Sequence, residues 1–374
     1  MKYGMAMPRK YIQGDGVLSE IADYAALLGE RPLVVWGKRT RAATAETVAA
    51  AFAATGTAFL EWPFGGESSL DEANQVAEFA RENNVDSLIG LGGGKAIDTA
   101  KGVAAWLKVP VMIVPTIAAT DAPITQTSGW YDKTGQMVEI FQAPFNPDIL
   151  LVDTGVIARA PLRLFIAGMG DGITTCIEAD ASYASRTTRT NRTGGLPTMA
   201  TRTIAKLCMD TLLEDGVEAV HQVRKHLVTP AVERVVESLV LHSGLGGESG
   251  GIAAAHSIAN NLPYFKQNHA YYHGENVAFG VMTQLFLDDS MKLETINKIA
   301  GWMRDVGLPI TLEGIGLQGI RQEELIQFAQ FCIDSPVSFF DAMVCPVTTR
   351  SLVQAMLAAD DYGHRMLSGK REKP

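Results

Sequence analysis

The sequence predicts an α/β amino-terminal domain built on a parallel, doubly wound sheet, followed by an all-α carboxy-terminal domain. Three observations predict it. Over residues 1 to about 160, short apolar runs alternate with helix-spaced segments, the rhythm of parallel strands with helices packed on their faces. Beyond Asp153, long stretches carry apolar residues three and four apart, with few β-branched alternating runs. That is the helical period. Between the two halves, Ala160-Pro161 marks a break, because the residue before a proline is pushed out of the helical region. The expected domains are residues 1–160 and 161–374.

In chain order, Lys10 to Gln13 reads as a short strand before the Gly14-Asp15-Gly16 turn, and Leu18 to Leu28 as a helix. Pro32-Leu33-Val34-Val35-Trp36 is apolar throughout, as a strand covered on both faces requires. Thr44 to Ala54 follows as an alanine-rich helix, Ala58 to Trp62 as a strand, Leu70 to Asn83 as a helix, and Ser87–Leu91 and Val109–Pro115 as further strands. The second half reads as helices over Leu162–Ile166, Ile173–Ser185, Met199–Leu213, Ala231–Gly244, Gly251–Asn261, Val277–Leu287, Leu293–Val306, Glu323–Cys332 and Thr348–Ala359.

Composition excludes several function classes. With 47% hydrophobic and 20% charged residues the chain is an ordinary globular protein with a full core. A net charge of −9 argues against nucleic acid as a partner. No apolar run approaches the roughly 20 residues of a membrane span, and Met1 to Lys10 lacks the apolar core of a signal peptide. Cys176, Cys208, Cys332 and Cys345 are far apart and form no C-x-x-C pair, which suits a reducing cytoplasm rather than a disulfide frame or zinc ribbon.

The Ser87–Leu91 run ends in Gly92-Gly93-Gly94-Lys95, and a helix-spaced segment then begins. Strand, glycine turn and helix bring backbone N–H groups up to a phosphate at a helix N-terminus. Neither common phosphate motif is met. G-x-G-x-x-G would need glycine where Lys95 stands, and the P-loop would need Ser or Thr where Ala96 stands. A plain tight turn between strand and helix is the alternative. In the helical half, Asp171, His256 and His273 each lie among small residues (Gly170 and Gly172, Ala255, Gly274). One carboxylate and two imidazoles would leave positions open on a metal, the catalytic arrangement. A histidine on an apolar helix is otherwise a satisfied core residue.

Taken together, these segments resemble the group III metal-dependent, or iron-containing, alcohol dehydrogenase family, and within it the glycerol dehydrogenase branch. The resemblance rests on Lys10-Tyr11-Ile12-Gln13-Gly14, Pro63-Phe64-Gly65-Gly66-Glu67, Gly92-Gly93-Gly94-Lys95 with Asp98-Thr99-Ala100-Lys101, and Pro115-Thr116-Ile117-Ala118-Ala119-Thr120-Asp121-Ala122-Pro123. It continues through Gly168-Met169-Gly170-Asp171, Glu248-Ser249-Gly250-Gly251 and Tyr271-Tyr272-His273-Gly274-Glu275, nearly the whole chain. The fold it implies is a Rossmann-like domain followed by a helical one, shared with dehydroquinate synthase. It implies Asp171, His256 and His273 as ligands of one divalent metal. Thr175 stands where many iron-type relatives carry a further histidine, which favours zinc over iron. It places the cofactor on Gly92, Gly93, Gly94, Lys95 and Asp98, with Thr116, Thr120, Ser128 and Tyr131 on the nicotinamide side. Asp121 matches the residue that faces the polyol, and with His269 is a candidate for carrying the released proton. A homo-oligomer is also implied.

The sequence departs from that branch after its first core strand, at Trp36-Gly37-Lys38-Arg39-Thr40-Arg41. An acid at this place holds the ribose diol of NAD, whereas small and basic residues accept a 2′-phosphate. Gly37, with Lys38, Arg39 or Arg41 to neutralise the phosphate, therefore favours NADP(H) over NAD, with carbonyl reduction as the cellular direction. Thr125 to Trp130 is bulkier and more polar than the branch leads one to expect, and Arg163 or Lys266 could hold an acidic substrate group. The expected reaction is hydride transfer between a small polyol or alcohol and its ketone or aldehyde. NADPH-dependent reduction of a 2-oxo acid, hydroxyketone or aldehyde is the alternative, and a dehydroquinate synthase-like lyase a remote one.

Overall fold

The computed structural model describes residues 1–132 and 137–369. The expected domain end at 374 lies outside the described residues. Two compact units form. One holds Ala6–Pro161 with Gln222–Gly244; the other holds Met1–Met5, Leu162–His221 and Leu245–Pro374.

The first unit is organised on a six-stranded, wholly parallel sheet. Its order is Lys10–Gly14, Ile149–Asp153, Val111–Pro115, Ser87–Gly92, Pro32–Gly37 and Leu60–Phe64. The strands at 87–92, 111–115 and 149–153 are buried at every position, as their apolar middles require. Leu60–Phe64 runs through Pro63, beyond the expected end at Trp62. The strand lies at the sheet edge, where a missing N–H breaks no ladder bond. Side-chain caps start two of this unit's helices: Ser69 Oγ accepts from Glu72 N–H at 3.1 Å and Asp153 Oδ1 from Val156 N–H at 2.9 Å.

Segment 222–244, expected in the helical domain, packs instead with this unit. Glu233 is the tie. Gln13 Nε2 donates to its carbonyl at 2.9 Å and its carboxylate at 2.8 Å, and Thr154 Oγ1 donates to the same carboxylate at 2.7 Å. The single helix expected over Ala231–Gly244 is Pro230–Glu237 followed by a π-helical turn, Ser238–His242. An antiparallel hairpin, Thr127–Tyr131 with Met137–Gln142, was not foreseen either.

In the second unit the strands are limited, among the described residues, to Tyr3–Gly4 beside Leu196–Pro197. Leu162–Ser185 is one 24-residue helix rather than two segments parted by glycines, because burial against neighbours outweighs the roughly 1 kcal/mol that each glycine costs a helix. Conversely, the helix expected over Gly251–Asn261 is only Ala254–Ala259. Gly251 has φ +94, a left-handed turn that ends the Ser243–Gly250 helix.

Candidate functional site

Three helices of the second unit each contribute one donor. Asp171 lies in the middle of Leu162–Ser185, His256 within Ala254–Ala259, and His273 is the first residue of His273–Leu287. Glycines let their backbones touch. A Cβ on Gly170 would overlap the Gly274 carbonyl oxygen, one on Gly274 the Ala167 carbonyl, and one on Gly280 the Ala255 carbonyl. Asp171 Oδ1 lies 3.4 Å from His256 Nε2 and 3.6 Å from His273 Nε2. All three donors fall within 4.8 Å of one another. The Asp171 and His256 side chains are 3% and 15% exposed and that of His273 is 37% exposed, so the cluster opens on the His273 side.

Glu178 completes the arrangement, and sequence reading missed it. Its Oε1 accepts from the His256 backbone N–H at 2.9 Å and its Oε2 lies 2.5 Å from His256 Nδ1. The carboxylate accepts from Nδ1 and turns Nε2 toward Asp171 and His273, the orienting contact typical of metal-binding histidines. The signal was present: Glu178 follows Asp171 by seven residues, two helical turns, and so shares its face. Burial opposes ionisation of Asp171, but hydrogen bonds and charge from His256 and His273 outweigh it and hold the carboxyl well below its usual range. Burial likewise disfavours a charged His256, yet Glu178 and Asp171 raise its pKa well above 6.5. Two buried carboxylates around two imidazoles favour a cation, and this donor set fits one divalent metal. Thr175 supplies no fourth nitrogen. Its methyl occupies the place where a Gly246 Cβ would stand.

Two expected residues lie apart from this cluster. His269 is exposed on the 3₁₀ turn Lys266–Ala270, with Nε2 2.9 Å from the Pro263 carbonyl. Arg163 is not left for an acidic substrate. Its Nε and Nη2 fork onto the Glu275 carboxylate at 2.7 and 2.8 Å.

In the first unit, Gly92 ends a central strand, Gly93 is the extended N-cap, and Gly94 opens the Gly94–Leu107 helix. Nothing lies within 4 Å of where a Gly94 Cβ would stand, so the helix N-terminus has an unobstructed approach for phosphate. Lys95 pairs with Glu67 at 2.6 Å and lies over the Tyr131 ring. Burial, then Asp98 and Glu67, push the Tyr131 pKa up to about 12. Thr116 N–H donates to the Gly92 carbonyl at 3.0 Å, and Thr120 Oγ1 accepts from Ala122 N–H at 3.3 Å. Asp121, between them, accepts at its carbonyl from Ile124 N–H at 3.2 Å. Ser128 is fully buried, and its hydroxyl has no hydrogen-bond partner among the described residues. Asp98, expected on the cofactor, directs its carboxylate to Gly129 N–H at 3.0 Å and Lys101 Nζ at 3.1 Å.

The basic stretch after Trp36 opens a helix. Gly37 is an extended N-cap, and the helix Lys38–Thr55 begins six residues earlier than its apolar spacing indicates. Arg41 is held by Glu61 at 2.7 Å and lies over the Trp36 ring. Lys38 and Arg39 are exposed and have no ion pair among the described residues. Trp36, Lys38, Arg41, Ala42, Pro63 and Phe64 line a hollow of about 390 Å³.

A family model described as iron-containing alcohol dehydrogenase matches residues 8–154. Glycerol dehydrogenase of Thermotoga maritima is 41% identical over 360 residues, 95% of this chain and 96% of that protein. Glycolaldehyde reductase of Halobacterium salinarum is 36% identical over 96% of this chain and 97% of its own. A solved structure of a probable glycerol dehydrogenase from Sinorhizobium meliloti 1021 matches with a TM-score of 0.89 at 36% identity, over 97% of this chain and 99% of that one.

Proposed function

Because the chain belongs to the iron-containing alcohol dehydrogenase family, in its glycerol dehydrogenase branch, we propose that it interconverts glycerol or a related 1,2-diol with the matching hydroxyketone or aldehyde, with one zinc ion on Asp171, His256 and His273 and with NADP(H) preferred over NAD(H). The enzyme is an alcohol or polyol oxidoreductase with a metal and an NAD-type cofactor. The observation that carries the assignment of the site is the convergence of three donors on one point, one of them oriented by Glu178.

A divalent cation on these donors supplies a Lewis acid for the substrate oxygen, and the nicotinamide supplies the hydride acceptor or donor. The residues do the rest. Asp171 stays ionised and balances positive charge, while Glu178 fixes the His256 tautomer. Asp121 takes the hydroxyl proton released in oxidation. The N-terminus of Gly94–Leu107 takes the pyrophosphate through Gly93, Gly94 and Lys95, while Thr116, Thr120, Ser128 and Tyr131 shape the nicotinamide side.

NADP(H) preference rests on Gly37, which removes a carboxylate from the ribose position, and on Lys38 and Arg39, two unpaired cations at the start of the next helix. With NADPH the cellular direction is carbonyl reduction, and the resemblance to a glycolaldehyde reductase favours a small hydroxyaldehyde as substrate in that direction. We place the protein in the cytoplasm as a homo-oligomer; its four cysteines are free thiols. No helix among the described residues is long and apolar enough to cross a membrane. Titrating NADH against NADPH by protein-bound fluorescence, with metal analysis of the same sample, tests the reading. Tighter NADPH and one zinc per chain are expected. Tighter NADH would overturn the cofactor preference, and a metal-free active enzyme the metal assignment.

A further inference from the structure

Segment 120–131 of the first unit carries Thr120, Asp121, Ser128 and Tyr131, yet its first part has no regular secondary structure to hold it. What holds it is one face of the Gly94–Leu107 helix. Lys101 is 2% exposed, and its ammonium sits among four oxygens. It donates to the carbonyls of Ala122 at 2.8 Å, Thr125 at 3.2 Å and Thr127 at 2.5 Å, and pairs with Asp98 Oδ1 at 3.1 Å. Asp98 Oδ2 in turn accepts from Gly129 N–H at 3.0 Å. One residue further along the helix, the Trp130 ring lies where a Gly102 Cβ would be. From the other side, Gly244 follows the π-helical turn Ser238–His242 and packs against Ile124 and the Asp121 carbonyl.

A buried lysine is retained only where its charge is compensated and its hydrogens are bound. Here the compensation consists almost wholly of the main chain of one segment. Three carbonyls of residues 122–127 point to a common centre, which fixes that backbone far more tightly than its own turns would. The ammonium is bound by protein on every side, and the Asp98 carboxylate is turned into the same pocket: Oδ2 accepts from Gly129 N–H, while Oδ1 faces Lys101 at 3.1 Å as an ion pair and makes no hydrogen bond.

We propose that Asp98 and Lys101 are positioning residues, a buried pair that fixes segment 120–129 in the conformation that presents Asp121 and Thr120 to the substrates. The inference rests on the reading above that this segment serves the reaction. It also reassigns Asp98 from cofactor contact to anchor.

The test replaces Lys101→Met, with Asp98→Asn as a second variant that keeps an acceptor for Gly129 N–H should the first fail to fold. Hydrogen exchange by mass spectrometry is read peptide by peptide, beside kcat, KM and metal content of the purified enzyme. Faster exchange confined to 120–129 is expected, with metal content unchanged and kcat/KM lower by on the order of 100-fold. Asp121→Ala separates the two readings. If that variant keeps full kcat/KM, the segment does not serve the reaction and the premise fails. If it loses activity while both anchor variants keep wild-type kcat and KM, the premise stands and the positioning role is overturned. An exchange increase spread over the whole unit, with a lower Tm and unchanged kinetics, also overturns it by leaving the pair a purely structural role.

Discussion

Gly170 and Gly274 meet backbone to backbone. A methyl group on either would overlap a main-chain carbonyl of the facing helix, that of Gly274 in one case and of Ala167 in the other. Each glycine directly adjoins a donor, Asp171 on one helix and His273 on the next. The closeness that brings Asp171 Oδ1 to 3.6 Å from His273 Nε2 therefore depends on two missing Cβ atoms.

Gly274→Ala should push the helices apart. Overpacking of this kind costs typically about 1–3 kcal/mol, and here it also spreads the donors. A lower Tm together with loss of bound metal is expected, measured by calorimetry and elemental analysis. A variant with wild-type metal content would show that the crossing does not set the site.

Glu178→Gln keeps the size of the side chain but weakens the acceptor for His256 Nδ1. Orienting contacts of this type contribute about 10–100-fold in metal affinity or activity. Metal affinity measured by competition with a chelator should fall within that range, while the far-ultraviolet circular dichroism stays unchanged.

Gly37→Asp places a carboxylate on the N-cap between the Pro32–Gly37 strand and the Lys38–Thr55 helix. Repulsion of a 2′-phosphate should weaken NADPH about tenfold, or ~1.4 kcal/mol, and a ribose diol should gain an acceptor. The ratio of NADPH to NADH affinity is the readout, and an unchanged ratio would count against Lys38 and Arg39 as phosphate partners.

Tyr131 gives a pH dependence of stability. Burial, with Asp98 and Glu67, pushes its pKa up to about 12, against roughly 10 in an unfolded chain. The folded state then keeps a proton that the unfolded state has lost. Its contribution is full below about pH 10 and is lost as pH rises toward about 12. Discounted for partial exposure, the change is about 1–2 kcal/mol. The stability difference between wild type and Tyr131→Phe, followed by urea unfolding from pH 9 upward, should move in favour of the variant by that amount.

The parts legible in the sequence were those written in local pattern. Pro32 to Trp36 and Ser87 to Leu91 are strands because nothing polar interrupts them, and the Gly92-Gly93-Gly94 turn is visible as punctuation. What escaped depends on partners distant in the chain. The Lys38–Thr55 helix begins without a side-chain cap and with exposed basic residues, so periodicity finds it only where Thr44 and Val48 turn inward. Glycines 168, 170 and 172 read as a break, whereas at 170 the missing side chain is what allows a continuous helix to pass its neighbour. Segment 222–244 has ordinary helical spacing, and only Glu233, hydrogen-bonded by Gln13 and Thr154, assigns it to the α/β unit. Asp171, His256 and His273 were found through the resemblance; Glu178 was not, because its role is to orient another residue.

The central claim is that Asp171, His256 and His273 hold the metal on which turnover depends. The most direct test is metal stoichiometry and glycerol-dependent NADP reduction measured on one preparation each of wild type and His256→Ala. The account predicts one divalent ion per wild-type chain, and for the variant a folded protein with no bound metal and turnover reduced beyond detection. A variant that retains its metal, or turns over like wild type without it, would contradict the account.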